Sequence, residues 1–227
     1  MPTRPVAVVF DVIETLFALD PLRERMAAAG VPGARLETWF ARTLRDGMAL
    51  DATGVYRPFK EVATAALLGL MAEEGAAPDQ GKAEAVVAGF AELPAQPDAG
   101  AAMRRLREAG VRVAALTNGA AESTRGLLEN AGLADMVERV ISVAEVEHWK
   151  PRPEVYCHAA DRLGVEPARL ALIAAHAWDT HGAKRAGLLA AYVARAGEPF
   201  PAVMAPPDAV GGSLLEVADT LAAWPAG

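Results

Sequence analysis

Apolar residues fall into short unbroken runs separated by longer amphipathic stretches. Five runs, at residues 6–10, 111–116, 140–143, 170–174 and 189–194, are built from β-branched and small residues with little polar alternation. Such runs predict strands buried on both faces. The intervening patterns are helical. In "PDAGAAMRRLREAG", Ala102, Met103, Leu106 and Ala109 recur at helical spacing and Gly110 supplies a stop. "ESTRGLLENAG" repeats the scheme up to Gly132, "PEVYCHAADRLG" starts after Pro153 and ends at Gly164, and "TLAAW" closes a last helix. Strand–helix alternation predicts an α/β fold with a Rossmann-like parallel sheet and right-handed crossovers.

Residues 20–94 break this rhythm. They hold four helical patterns, at 22–29, 36–50, 59–74 and 79–93, and no convincing strand. That is too long for a βα connection and predicts a helical domain inserted after the first strand. Its hinges fall near residues 18–21 and 93–100. The expected division is an α/β core of residues 1–18 and 95–227 and an insert of residues 19–94. The Pro- and Gly-rich stretch 197–212 reads as a surface loop.

Composition narrows the function. With 52% apolar residues in 227, a substantial core is expected. A net charge of −7 argues against nucleic acid and anionic membrane as principal partners, while leaving room for a small anionic substrate. The lone cysteine, Cys157, forms no internal disulfide, is expected to face the core, and fits a reducing compartment. No signal peptide or membrane-spanning run is evident, so the cytoplasm is the expected location.

Parallel sheets bind ligands beyond the carboxyl ends of their strands. Asp11 and Thr15 follow the first strand, and Thr117, Asn118 and Gly119 the second. Lys150 in "HWKPRPEVY" follows the third, and "AAHAWDTHGA", with His176, Trp178 and Asp179, the fourth. A carboxylate, a hydroxyl–amide pair, an ammonium and a second carboxylate thus converge from four loops.

The order Asp…Thr-Asn…Lys-Pro…Asp resembles the haloacid dehalogenase superfamily over nearly the whole chain, which makes the helical insert a cap domain. Superfamily phosphatases carry Asp-x-Asp in the first motif, where the second Asp protonates the leaving alcohol; here Ile13 stands in its place. They also use an acidic metal ligand four residues before the last Asp, where this chain has Ala175. Mg²⁺ requires hard oxygen ligands, so the resemblance implies neither metal nor other cofactor. The sequence is more similar to the L-2-haloacid dehalogenases: "DVIETLF", "TNG", "KPRPEVY" and "AAHAWD" follow that group's motifs. Glu14 stands for its usual Gly, Ala174 and Ala175 for two serines, and His176 for an asparagine.

This resemblance implies that Asp11 attacks C2 of a short 2-haloalkanoic acid, and that water hydrolyses the resulting ester at the Asp11 carbonyl. Thr15 bonds Asp11, Lys150 keeps it ionised, and Asp179 orients the water or serves as its base. Thr117, Asn118 and the following backbone N–H groups hold the substrate carboxylate. Val12, Ile13, Tyr156, His176 and Trp178 complete the site, with His176 expected to titrate with Asp179 near neutral pH. The cap arginine that receives the halide has two candidates, Arg42 and Arg45; Arg42 is preferred because it follows the aromatic pair Trp39-Phe40. The remaining alternatives are a Mg²⁺-dependent phosphatase of the same superfamily and a vestigial ligand-binding member, the latter suggested by the two alanines. A homodimer is compatible with either.

Overall fold

The computed structural model of the protein describes residues 2–195, 197 and 199–226. Six strands, β1 (Ala7–Phe10), β2 (Arg112–Thr117), β3 (Arg139–Ser142), β4 (Leu170–Ala174), β5 (Leu189–Val193) and β6 (Ala209–Gly211), form one sheet in the order β3-β2-β1-β4-β5-β6. Every pairing is parallel; Phe10, the last residue of β1, lies between Ala115 of β2 and Ile173 of β4. The order reverses beside β1, so the crevice at its carboxyl end is where a ligand site belongs.

The strands are buried on both sides because helices cover both faces. Successive side chains of a strand point to opposite faces. Val8 and Phe10, with Val113, Ala115, Ala171 and Ile173, pack against α5 (Ala99–Glu108), α6 (Ala121–Asn130) and α9 (Leu214–Ala223). Ala7 and Val9, with Ala114, Leu116, Leu170 and Leu172, pack against α7 (Pro153–Leu163) and Ala183 of α8 (Ala177–Arg185). Each fully buried Val, Leu or Phe contributes about 1.5–3 kcal/mol of burial energy.

Between β1 and β2 run α1 (Leu22–Ala28), α2 (Leu36–Ala52), α3 (Phe59–Glu73) and α4 (Gln80–Ala88). The inward face of α2 carries Leu36, Trp39, Phe40, Thr43 and Gly47. Trp39 donates its indole N–H to the Ala63 carbonyl of α3 at 2.8 Å. The helical segment also seats on the residues before Lys150. Trp149 stacks on Phe59, with centroids 5.8 Å apart, and donates Nε1–H to the Arg57 carbonyl at 2.9 Å. Asp51, at the end of α2, accepts from the Trp149 backbone N–H and lies 2.9 Å from His148 Nδ1. Gly47 permits this approach, since a Cβ there would fall 2.5 Å from the Trp149 ring.

Two expectations are corrected. The stretch 197–212 is not all loop, because residues 209–211 form β6 as an edge strand beside β5; Glu198 lies outside the described residues. Cys157 is exposed rather than turned inward: its neighbours Val155, Tyr156, Ala159 and Ala160 form the buried face of α7.

Candidate active site

β1 ends one residue before Asp11, whose N–H continues the ladder to the Ile173 carbonyl at 3.0 Å. The chain then folds into a tight turn. Leu16 and Phe17 both donate to the Val12 carbonyl, and Glu14 donates to that of Phe17. Glu14 sits at φ 65°, in the left-handed region that favours glycine. This turn brings Thr15 back onto the aspartate, and Thr15 Oγ1 donates to Asp11 Oδ2 at 2.7 Å. The Thr15 hydroxyl in turn accepts the Ala175 N–H at 2.9 Å, so residue 175 serves through its backbone and its alanine side chain removes nothing from this link.

Lys150 is fully buried and uses all three ammonium protons. Nζ donates to Asp11 Oδ1 at 2.7 Å, to Asp179 Oδ2 at 2.7 Å and to the Leu116 carbonyl at 3.2 Å. The other Asp179 oxygen accepts from Tyr156 Oη at 2.5 Å. A Cβ at Gly182 would lie 2.6 Å from that hydroxyl, so a glycine is required for Tyr156 to reach Asp179. The second strand's motif braces the same lysine: Asn118 Oδ1 accepts the Lys150 N–H at 3.0 Å, while Thr117 Oγ1 accepts the Gly119 N–H at 2.9 Å.

His176 stands at the N-cap of α8 and bridges two carboxylates. Nδ1 is 3.2 Å from Asp11 Oδ2 and Nε2 is 2.7 Å from Glu14 Oε2. Its ring stacks on Trp178 at 5.3 Å. These contacts set the charges. Burial alone would raise the Asp11 pKa, but the Lys150 charge and the His176 hydrogen bond outweigh it and hold the carboxyl well below the ordinary range. Burial opposes the Lys150 charge, yet Asp11 and Asp179 overcome it and raise its pKa. Asp179 moves up, because burial outweighs the attraction of Lys150. Burial likewise opposes a charged His176, but hydrogen bonds to Asp11 and Glu14 push its pKa up to about 10.

Asp11 opens onto a cavity of about 700 Å³ beneath the helical segment. Ile13, Phe40, Leu44, Phe59, Phe90 and Trp178 give it apolar walls; Asn118, Gly119 and Ala120 line its floor beside Thr117. Lys60 is the one lysine or arginine among the described residues lining it. The aromatic side chains Phe59 and Phe90, with Lys60, were not singled out from sequence. Phe59 and Lys60 open α3 just after Pro58, and that start signal is legible, although its direction toward the site is not.

The sequence model of haloacid dehalogenase-like hydrolases matches residues 6–187. The chain belongs to this family. Within it, the chain is 30% identical over 195 residues to (S)-2-haloacid dehalogenase 1 of Pseudomonas sp. (strain CBS-3), covering 85% of this chain and 86% of that one. It is 32% identical over 192 residues to (S)-2-haloacid dehalogenase of Xanthobacter autotrophicus, covering 83% and 75%. The solved L-2-haloacid dehalogenase of Xanthobacter autotrophicus with chloropropionic acid covalently bound superposes with a TM-score of 0.88 at 26% identity, over 96% of this chain and 99% of that one.

Among the site residues expected from sequence, Asp11, Thr15, Lys150, Asp179, Thr117, Asn118, Ile13, His176 and Trp178 come together. Four placements differ. Val12 packs into the core and is 1% exposed, offering the site only its backbone turn. Tyr156 reaches Asp179 from behind and is not a cavity wall. His176 pairs with Asp11 and Glu14 rather than titrating with Asp179 near neutral pH. Arg42 is not brought toward Asp11: it lies off the inward stripe of α2 and forms a two-pronged pair with Glu73 of α3. Arg45, the rival candidate, pairs with Asp46 at the surface.

Proposed function

We propose that this chain is a hydrolytic dehalogenase of short 2-haloalkanoic acids, acting through an ester on Asp11. The observation that carries the reading is the Lys150 ammonium, held between Asp11 and Asp179 with every proton donated. It keeps one carboxylate ionised at the floor of an apolar cavity, where positioning and desolvation make a carboxylate competent as a nucleophile. Ile13, on the wall beside it, donates no proton, and a departing halide needs none. The named relatives are 2-haloacid dehalogenases, and one solved neighbour holds chloropropionic acid covalently.

A divalent cation does not fit between Asp11 and Asp179, because the ammonium already fills that space at 2.7 Å from each. Among the described residues no three of His, Cys, Asp and Glu gather as a ligand set. With alanines at 174 and 175, Lys150 still donates to Asp11, Asp179 and the Leu116 carbonyl, and Thr15 still accepts the Ala175 N–H, which favours a working enzyme over a vestigial one.

In this mechanism Asp11 attacks C2 and the halide departs on the opposite side. The Asn118 side chain and the backbone at the start of α6 hold the substrate carboxylate. The halide leaves toward the helical segment, where Lys60 and the aromatic residues Phe40, Phe59 and Phe90 line the cavity. Residues 19–94 act as the cap over a core of residues 1–18 and 95–227. This division is supported by the bond from the Ala18 N–H to the Pro94 carbonyl, which sets the two crossings side by side. No helix among the described residues is long and apolar enough to cross a membrane; a cytoplasmic location belongs to the same proposal, supported by the single cysteine.

The test is halide release from chloroacetate, fluoroacetate and both enantiomers of 2-chloro- and 2-bromopropionate, with EDTA present. Release undiminished by EDTA is expected; turnover of p-nitrophenyl phosphate that depends on added Mg²⁺ would instead establish the phosphatase. A second comparison tests the cap. Arg42→Ala is expected to keep kcat within about twofold, as an exposed ion pair contributes little. Lys60→Ala is expected to lower kcat about tenfold by removing charge from the leaving side. The reverse ranking on the best substrate would restore Arg42 as the halide residue.

A further inference from the structure

Glu14 and His176 form a pair that the rest of the mechanism leaves unused. The imidazole lines the substrate cavity and also a second cavity of about 350 Å³, into which Glu14 projects beside Gln96 and Arg195. Its two nitrogens therefore face in opposite directions, Nδ1 to the Asp11 carboxyl and Nε2 to a carboxylate that is 37% exposed. Asp179 is placed differently. It is fully buried, one oxygen accepts from Lys150 and the other from Tyr156, and it lines neither cavity. The backbone adds an independent sign, because glycine would adopt φ 65° at residue 14 more readily than glutamate does. A side chain kept at such a position, and bonded at 2.7 Å to the residue beside the nucleophile, points to a use for that side chain.

We propose that His176 is the general base that hydrolyses the Asp11 ester, with Glu14 orienting it and fixing its tautomer through the Nε2–H bond. This inference rests on the dehalogenase reading. In the free enzyme His176 carries a proton between two carboxylates. Asp11 then forms a C–O bond to C2 as the C–halide bond breaks and its electron pair leaves with the halide. Asp11 is now a neutral ester, so one of the two anions holding the imidazolium is gone. The proton on Nδ1, the nitrogen that faces the ester, then passes to water in the substrate cavity and leaves with the halide, while Nε2–H stays donated to Glu14. The neutral imidazole takes a proton at Nδ1 from a water as the water oxygen bonds to Cγ of Asp11. As the bond from Cγ to the substrate oxygen breaks, the remaining water proton passes to that oxygen. The products are the 2-hydroxy acid, the Asp11 carboxylate and an imidazolium, as at the start.

The charges facing His176 agree with this cycle. Asp11 and Glu14 adjoin it, Lys150 and Asp179 lie behind Asp11, and Arg195 stands across the second cavity, bonded to the Thr15 carbonyl. α2 brings the neutral Phe40 ring to 6.1 Å and places Glu37 in the second cavity, where it and Asp20 are both paired with Arg23.

The experiment follows both half-reactions on 2-chloropropionate by rapid quench, with halide and intact protein mass as readouts. His176→Gln is expected to slow ester hydrolysis about 10²-fold more than alkylation, so that alkyl-enzyme accumulates after a burst of halide. Wild-type hydrolysis is expected to fall as pH is lowered, while the burst stays flat because Asp11 remains ionised. In Glu14→Gln, loss of the anion lowers the imidazole pKa, so the hydrolysis limb moves to lower pH; Glu14→Asp restores part of the wild-type profile. A purely structural role would lower the rate without moving that limb. Equal slowing of both half-reactions in His176→Gln, or hydrolysis at the wild-type rate, would overturn the general-base role of His176 alone. A wild-type protein that releases no halide from any acid overturns the dehalogenase reading and the general base with it.

Discussion

Asp11→Asn is expected to abolish turnover, by on the order of 10⁴-fold or more, while the protein stays folded. An amide is a far weaker nucleophile than a carboxylate and cannot form the ester on which both half-reactions depend. The introduced amide can still accept from Lys150 through its carbonyl, and Asp179 remains to balance the ammonium. The environment therefore loses one charge and the Oδ2 acceptor of Thr15 and His176, but keeps the Lys150 bond. A cost of about 1–3 kcal/mol is expected, measured by denaturant unfolding beside halide release. Retention of more than a small fraction of the wild-type rate would remove Asp11 from the chemistry.

Lys150→Met is expected to cost more in stability and as much in activity. It leaves Asp11 and Asp179 buried and facing each other with no cation between them. Breaking a buried pair in this way costs about 3–5 kcal/mol. Two close carboxylates without a counter-charge cannot both stay ionised, so one takes a proton at neutral pH. A carboxyl whose folded pKa lies above its unfolded value binds more protons in the folded state. Its stability contribution is therefore present below the unfolded pKa and is lost as pH rises through the folded one. Wild-type Asp11 has the opposite sign: its pKa is depressed, and its contribution is lost as pH falls. The stability deficit of Lys150→Met should accordingly shrink between about pH 8 and about pH 5. A pH-independent deficit would show that the ammonium does not set the charge of this pair. Lys150→Arg should not rescue, since a planar fork cannot place three protons on oxygens arranged around a compact ammonium.

Much of this architecture is legible in the sequence because buried parallel strands and amphipathic helices write different periods. The five apolar runs became β1 to β5, and Gly110, Gly132 and Gly164, each at positive φ, follow the ends of α5, α6 and α7. β6 was illegible because a three-residue edge strand lies in a stretch rich in Pro and Gly. Asp11, Thr15, Lys150 and Asp179 could be found since each follows a strand end, where the topology forces convergence. Arg42 shows where neighbourhood in sequence misleads. It follows Trp39 and Phe40, but those two belong to the inward stripe of Leu36, Thr43 and Gly47, and Arg42 does not; the helical period itself excludes it. The docking of Asp51 on His148 and Trp149 joins residues about a hundred positions apart and leaves no local trace. Glu14 and His176 each read as isolated departures from a motif. Only the turn at residues 12–17, which throws Glu14 to positive φ, makes them a pair.

Isotope transfer to Asp11 tests the central claim most directly. A single turnover of 2-chloropropionate by excess enzyme in H₂¹⁸O, followed by proteolysis and mass spectrometry, reads which oxygen enters the product. If the substrate is esterified and water attacks Cγ, the first label enters the Asp11 carboxylate and the hydroxy acid carries unlabelled oxygen from the protein. Label appearing in the hydroxy acid on that first turnover, with Asp11 unlabelled, would mean that water attacks C2 directly and would contradict the account.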